Sequence, residues 1–125
     1  MSNSKISDCE AEVMKVLWER SPRTLPEIVN EVKAGHDEWE SVTIKTMLTR
    51  LIKKGAAKLE GTRRCYRYFP VVSREEYLDE QSDDFLARGF GGEPAAMLSF
   101  FVKRGKITRE ELDVLEKEIA KLETK

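Results

Sequence analysis

The residues predict a mainly α-helical chain with one small β-hairpin, and three observations carry that prediction. First, four capping boxes recur, at Ser7…Glu10, Thr24…Glu27, Ser73…Glu76 and Thr108…Glu111. In each, the hydroxyl can accept from an orphan amide of the first turn while the carboxylate reaches back to the cap. Second, apolar residues recur at helical spacing after each box. Third, the stretch from Ala57 to Val71 switches to two short strand-like runs around Gly61-Thr62-Arg63-Arg64.

The first helix is expected from about Asp8 to Glu19, with Val13, Met14, Val16, Leu17 and Trp18 as its apolar face and Ser21-Pro22 ending it. A second runs from about Leu25 to Lys33, burying Ile28, Val29 and Val32, with Gly35 as its stop. A third begins near Ser41 and ends at Lys54, before Gly55. Its inward stripe is Ile44, Met47, Leu48, Leu51 and Ile52. Ala57 to Glu60 and Cys65 to Val71 read as the paired strands, and Pro70 suits a strand end at a sheet edge. Three helices and then a hairpin is the order of a winged helix-turn-helix, here about residues 6–72. Beyond it the pattern gives helices over Arg74 to Phe90 (stopped by Gly91-Gly92), Pro94 to Lys103, and Arg109 to Glu123. The expected division is therefore a winged helix at 1–72 and a three-helix domain at 73–125.

Bulk properties narrow the function. A chain of 125 residues with 40% hydrophobic residues can fold as one ordinary domain, or as a small one with a helical appendage. No apolar run approaches the roughly 18–20 residues of a membrane span, and the start, Met1-Ser2-Asn3-Ser4-Lys5, lacks a secretory apolar segment. A cytoplasmic protein with no membrane insertion is expected. Cys9, Cys65 and the single His36 have no metal-ligand spacing, so neither a metal nor a cofactor is expected. No nucleophile pairs with a base and no glycine loop cradles phosphate, so the chain does not read as an enzyme.

The net charge of −1 conceals an uneven distribution. Glu40 to Tyr68 holds eight Lys/Arg against two acids, whereas Ser73 to Lys125 holds nine against thirteen. A basic stretch in a near-neutral chain implies a local polyanion site. In a helix-turn-helix the second helix of the motif enters the major groove. With the core stripe inward, Val42, Thr46, Thr49 and Lys53 face outward, flanked by Ser41, Thr43, Lys45 and Arg50, and no acid lies between Ser41 and Ala57. Hydroxyls can bond bases or phosphates, Val42 can touch a thymine methyl, and Lys45 or Arg50 can reach guanine or phosphate. Arg63 and Arg64 at the hairpin tip, with Arg67 on the next strand and Lys53-Lys54 before the hairpin, repel one another unless an anion shares the space. Double-stranded DNA is the expected partner. Two other readings stay open: a winged helix used for protein docking without DNA readout, and a redox or metal sensor using Cys9 or Cys65.

The last three helices make a segment of ~50 residues, too small to be stable alone. Ala95 to Val102, which includes Met97, Leu98, Phe100 and Phe101, is apolar on all sides and so is expected to be buried on all sides. Leu112, Leu115, Ile119 and Leu122 repeat at the spacing of a helix–helix seam. A homodimer on a two-fold operator follows.

Ile6-Ser7-Asp8 with Glu10 to Trp18, Thr43 to Ala56, Tyr66-Arg67-Tyr68-Phe69-Pro70 and Phe90-Gly91-Gly92 together resemble the penicillinase-repressor family, whose members include BlaI, MecI and CopY. The resemblance extends through the closing helix. It implies an N-terminal winged helix, a C-terminal dimerisation domain and repression by occupying dyad operators. BlaI- and MecI-like members are inactivated when the dimerisation domain is cut, in a pathway triggered by a membrane sensor protease. The cut falls at an Asn-Phe bond to which Phe100-Phe101 corresponds here, with the Phe kept and the Asn replaced. CopY-like members sense copper through C-terminal cysteines. This chain has none after Cys65, so that mechanism does not carry over.

Overall fold

A computed structural model describes residues 5–124, in the order α1 (Asp8–Glu19), α2 (Leu25–Gly35), α3 (Ser41–Lys53), β1 (Ala57–Thr62), β2 (Cys65–Pro70), α4 (Arg74–Gly89), α5 (Pro94–Lys103) and α6 (Arg109–Glu123). All four expected capping boxes form, each by a reciprocal pair of hydrogen bonds between hydroxyl, carboxylate and backbone amides. The chain divides into two compact units, up to Leu78 and from Asp79 onward, so the division falls inside α4.

In the first unit, α1, α2 and α3 pack around Val13, Met14, Leu17, Ile28, Ile44, Leu48 and Leu51, all fully buried. α2 continues two residues beyond the expected Lys33, because Gly35 is tolerated in the helix and His36 makes the cap, its amide donating to Val32 O. The hairpin is antiparallel, with Ala57 opposite Pro70 and Thr62 opposite Cys65. Its turn is Arg63-Arg64 alone, shorter than the expected Gly61 to Arg64. Gly61 allows the ladder to continue: it adopts φ +108°, and a Cβ there would lie 2.2 Å from the Cys65 carbonyl oxygen. Tyr68 anchors the hairpin. Its side chain is buried, and its backbone exchanges two hydrogen bonds with Arg23 just before α2, at 2.8 and 3.2 Å. After β2, Trp18 Nε1 donates to Val72 O at 2.8 Å and its ring packs on Tyr77, so the first turn of α4 belongs with this core.

The second unit is built differently. Gly91 and Gly92, at φ +58° and +79°, end α4, whose Leu86 carbonyl accepts from Phe90 and Gly92. Phe85, Phe90, Phe100 and Phe101 form a chain of ring contacts with centroids 5.6–6.2 Å apart. Within one chain no residue of α5 or α6 is buried, so the enclosure expected for α5 is not supplied by its own chain. Among the described residues, no helix is long and apolar enough to cross a membrane.

One buried charge ties the ends of the first unit together. Glu10 is 3% exposed, and its carboxylate accepts from the Lys54 ammonium and from the Ser7 amide. Burial alone would push this carboxyl up, but Lys54 and Ser7 together outweigh it and hold the group below its ordinary value of 4.5. Its folded value being depressed, the stabilisation is complete above the unfolded value and is lost as pH falls through the folded one. Glu10→Ala should therefore lower unfolding free energy by ~2–3 kcal/mol at neutral pH. The deficit relative to wild type should shrink on acidification below 4.5, as followed by urea denaturation across pH.

Candidate nucleic-acid interface

The burial of Ile44, Met47, Leu48 and Leu51 turns the other side of α3 to solvent. Ser41, Val42, Thr43, Lys45, Thr46, Thr49, Arg50 and Lys53 are all exposed, as the helical periodicity requires. Glu40 precedes the helix, and its side chain makes no capping bond to the first-turn amides of α3. The Thr46 hydroxyl donates to Val42 O at 2.9 Å and the Thr49 hydroxyl to Lys45 O at 3.1 Å. Each donor is thereby used within the helix, and the acceptor capacity that is left suits a base amino group and not a phosphate.

Between α3, the start of α2 and the hairpin lies an open cleft of about 660 Å³. Lys45, Thr49 and Lys53 form one wall, Thr24, Leu25 and Pro26 another, and Leu59, Arg63, Arg64, Cys65, Tyr66 and Tyr68 the third. Four cationic side chains line it and no carboxylate does. Such a concentration of positive charge around a cleft attracts an anionic backbone.

Lys54 and Arg67, also expected in the site, do not line the cleft. Lys54 is half-buried and paired with Glu10, with a further hydrogen bond to Lys5 O, so its ammonium serves the core. Arg67 is exposed but stands opposite Glu60, and strand alternation puts it on the face away from Leu59, Tyr66 and Tyr68. Conversely, Tyr66 and the Thr24-Leu25-Pro26 start of α2 line the cleft without having been singled out. The Tyr66/Tyr68 alternation could have shown that these rings share a face, and the Thr24 box already marked a helix N-terminus, which favours phosphate. His36 has a structural setting: it stacks on Trp39 at 4.2 Å and contacts Glu12 at 3.1 Å. Cys9 and Cys65 are exposed free thiols.

Replacing Arg63 and Arg64 together with Ala should weaken binding to DNA of any sequence. The slope of log affinity against log salt should become shallower by ~1–2 units, if each arginine displaces about one counterion. Fluorescence anisotropy over a salt series measures both, and an unchanged slope would remove the wing tip from the interface.

Comparison with known proteins places this geometry. The family model described as "Penicillinase repressor" matches residues 6–121. The chain is 36% identical to the penicillinase repressor of Bacillus licheniformis over 111 residues, covering 89% of this chain and 86% of that one. It is 33% identical to the transcriptional regulator BlaI of Mycobacterium tuberculosis over 122 residues, covering 96% and 86%. Among solved structures, the DNA-binding domain of the repressor BlaI matches with a TM-score of 0.51 at 42% identity, over 58% of this chain and 87% of that one. The Bacillus licheniformis BlaI monomeric form in complex with the blaP half-operator matches with a TM-score of 0.51 at 40% identity, over 59% and 89%. Its first unit is accordingly a winged helix-turn-helix, and the chain belongs to the penicillinase repressor family.

Proposed function

We propose that this repressor binds a two-fold DNA operator in the cytoplasm as a homodimer, with α3 in the major groove and the β1–β2 wing on the adjacent backbone. The observation that carries the reading is the cleft between α3 and the wing, with Lys45, Lys53, Arg63 and Arg64 around it and no carboxylate. The BlaI relative supports it further, as its monomeric form was solved on a half-operator. One winged helix per half-site is the corresponding arrangement here. Arg50 and Lys45 are long enough to reach guanine or phosphate, while Ser41 and Thr43 lie at the helix start, where base edges come closest. Selection from a randomised duplex pool by the purified chain tests the proposal. A recovered two-fold sequence, bound with steep salt dependence, supports it. Failure to enrich any duplex would leave the protein-docking reading.

Dimerisation rests on apolar surface that one chain leaves bare. Leu115, Ile119 and Leu122 on α6, and Leu98 and Phe100 on α5, are exposed, Leu122 by 70%. Met97, Phe101 and Leu112 are half-buried beside them. Burying side chains of this kind is worth ~1.5–3 kcal/mol each, so a second copy is the natural cover for the faces of α5 and α6. The double change Leu115→Glu and Ile119→Glu should convert a sedimenting dimer to monomer. Operator affinity should fall with it, because the second half-site is no longer engaged at a local concentration of ~mM.

Relief of repression is proposed to follow cutting at Phe100-Phe101 in a pathway started by a membrane sensor protease. The cut would release Phe101 to Lys125, including the Leu112, Leu115, Ile119 and Leu122 seam. This bond lies within α5, where the Phe100 carbonyl accepts from Arg104 and the Phe101 carbonyl from Lys106. A protease needs extended backbone, so the turn must open first. On co-expression with a cognate sensor protease and induction, mass spectrometry should show a fragment ending at Phe100. An intact chain that nonetheless leaves its operator would exclude the cut.

A further inference from the structure

Val42 is 69% exposed on the second position of α3, at the end of the helix that faces base edges. A bare β-branched side chain gains nothing from water, and its helical neighbours on the same face are Thr46 and Thr49, four and seven residues on. Both threonine hydroxyls turn back to carbonyls of the preceding turn, on Val42 and Lys45. A threonine Cβ carries one hydroxyl and one methyl, so a hydroxyl held against the helix leaves the methyl as the group free to meet a partner. The outward face of α3 is thus a row of methyl groups ending in Lys53, where its sequence suggests a row of hydrogen-bonding hydroxyls.

In the major groove one base-edge feature is apolar: the C5 methyl of thymine. We propose that α3 selects its operator by packing Val42 and the methyls of Thr46 and Thr49 against thymine methyls. Val42 and Thr46 are the pair that determines specificity for thymine, and Lys53, Arg63 and Arg64 supply sequence-independent affinity. Methyl-to-methyl contact excludes water from both surfaces, and a cytosine or a purine at that position offers no apolar partner. The inference rests on the DNA-binding reading above and adds which base feature is read, and through which atoms.

The test uses the full-length protein and the duplex most enriched from the randomised pool. Each thymine is replaced in turn by deoxyuridine, which keeps every hydrogen-bonding group and loses only the methyl. Wild type should lose about three- to fivefold in affinity at one or two thymines of each half-site, the loss expected for a buried methyl. Val42→Ser should erase the penalty at one of them. Thr46→Ser, which keeps the hydroxyl and its bond to Val42 O, should erase it at another. Thermal melting matched to wild type confirms that both variants are folded. Tight binding with no deoxyuridine penalty anywhere would overturn methyl readout while leaving the repressor reading intact. A penalty undiminished in both variants would overturn its assignment to these residues. If no duplex is enriched at all, the DNA-binding reading falls, and this inference with it.

Discussion

A two-stranded hairpin is at best marginally stable in water, and the placement of the wing depends on how this one is held. Tyr68 does most of the holding. Its ring is buried against the helical core, and its backbone pairs with Arg23 in a bridge that adds a third, one-residue strand to the sheet. At the open end of the hairpin, Ala56 O accepts from both Val71 and Val72, closing the base where the chain leaves α3 and returns toward α4. With its base and middle fixed, the ladder can extend to Thr62 opposite Cys65 and carry Arg63-Arg64 out into solvent on a defined heading. The tip arginines thus stand across a cleft from Lys45 and Lys53, where a freely swinging hairpin would average that field away. Packing around Tyr68 is therefore an electrostatic device as much as a structural one.

The second constraint is the two-sidedness of α3. Its buried stripe fixes the rotation of the helix about its own axis, so that Val42, Thr46, Thr49 and Lys53 have no other direction to face. The Glu10–Lys54 pair then pins the end of α3 to the start of α1, at the point from which the wing departs. Replacing such a pair by apolar groups can be neutral, but removing one partner strands a buried charge. Rotation, tilt and wing position are thus set by contacts that lie on the core side of the helix, out of reach of DNA.

The elements were legible because their signals are local. Capping boxes, glycine stops and the 3.6-residue stripe act within one turn, and all eight elements lie within two residues of the expected bounds at each end, with α2 and β1 each running two residues further. The site was legible in part. Outward residues of α3 follow from its stripe, but Lys54 does not, since its partner Glu10 is 44 residues away and nothing in either neighbourhood announces the pair. The face that Arg67 takes does not follow from the sequence, because Tyr66-Arg67-Tyr68-Phe69 has bulky apolar residues on both alternations. Which face turns inward is decided by Tyr68 meeting Arg23, a tertiary event. The inward turn of the Thr46 and Thr49 hydroxyls is a rotamer choice, and composition cannot show it.

In the proposed dimer the two units need no conformational signal between them to cooperate on the operator. In the proposed complex each α3 would make a small apolar contact area and a few phosphate contacts, and a half-site held by these alone would be held weakly. Joining two copies through α5 and α6, as proposed above, would make the second half-site contact intramolecular, so its affinity would add at high effective concentration. Selectivity would compound in the same way: a methyl preference of about fourfold at one half-site would become about sixteenfold when both must be filled, since free energies add across a two-fold axis. This explains why the apolar faces of the second unit can be a point of control for a repressor. Removing Leu112, Leu115, Ile119 and Leu122 alters no residue of the α3 face or the wing, yet in such a dimer it would take away affinity and selectivity together.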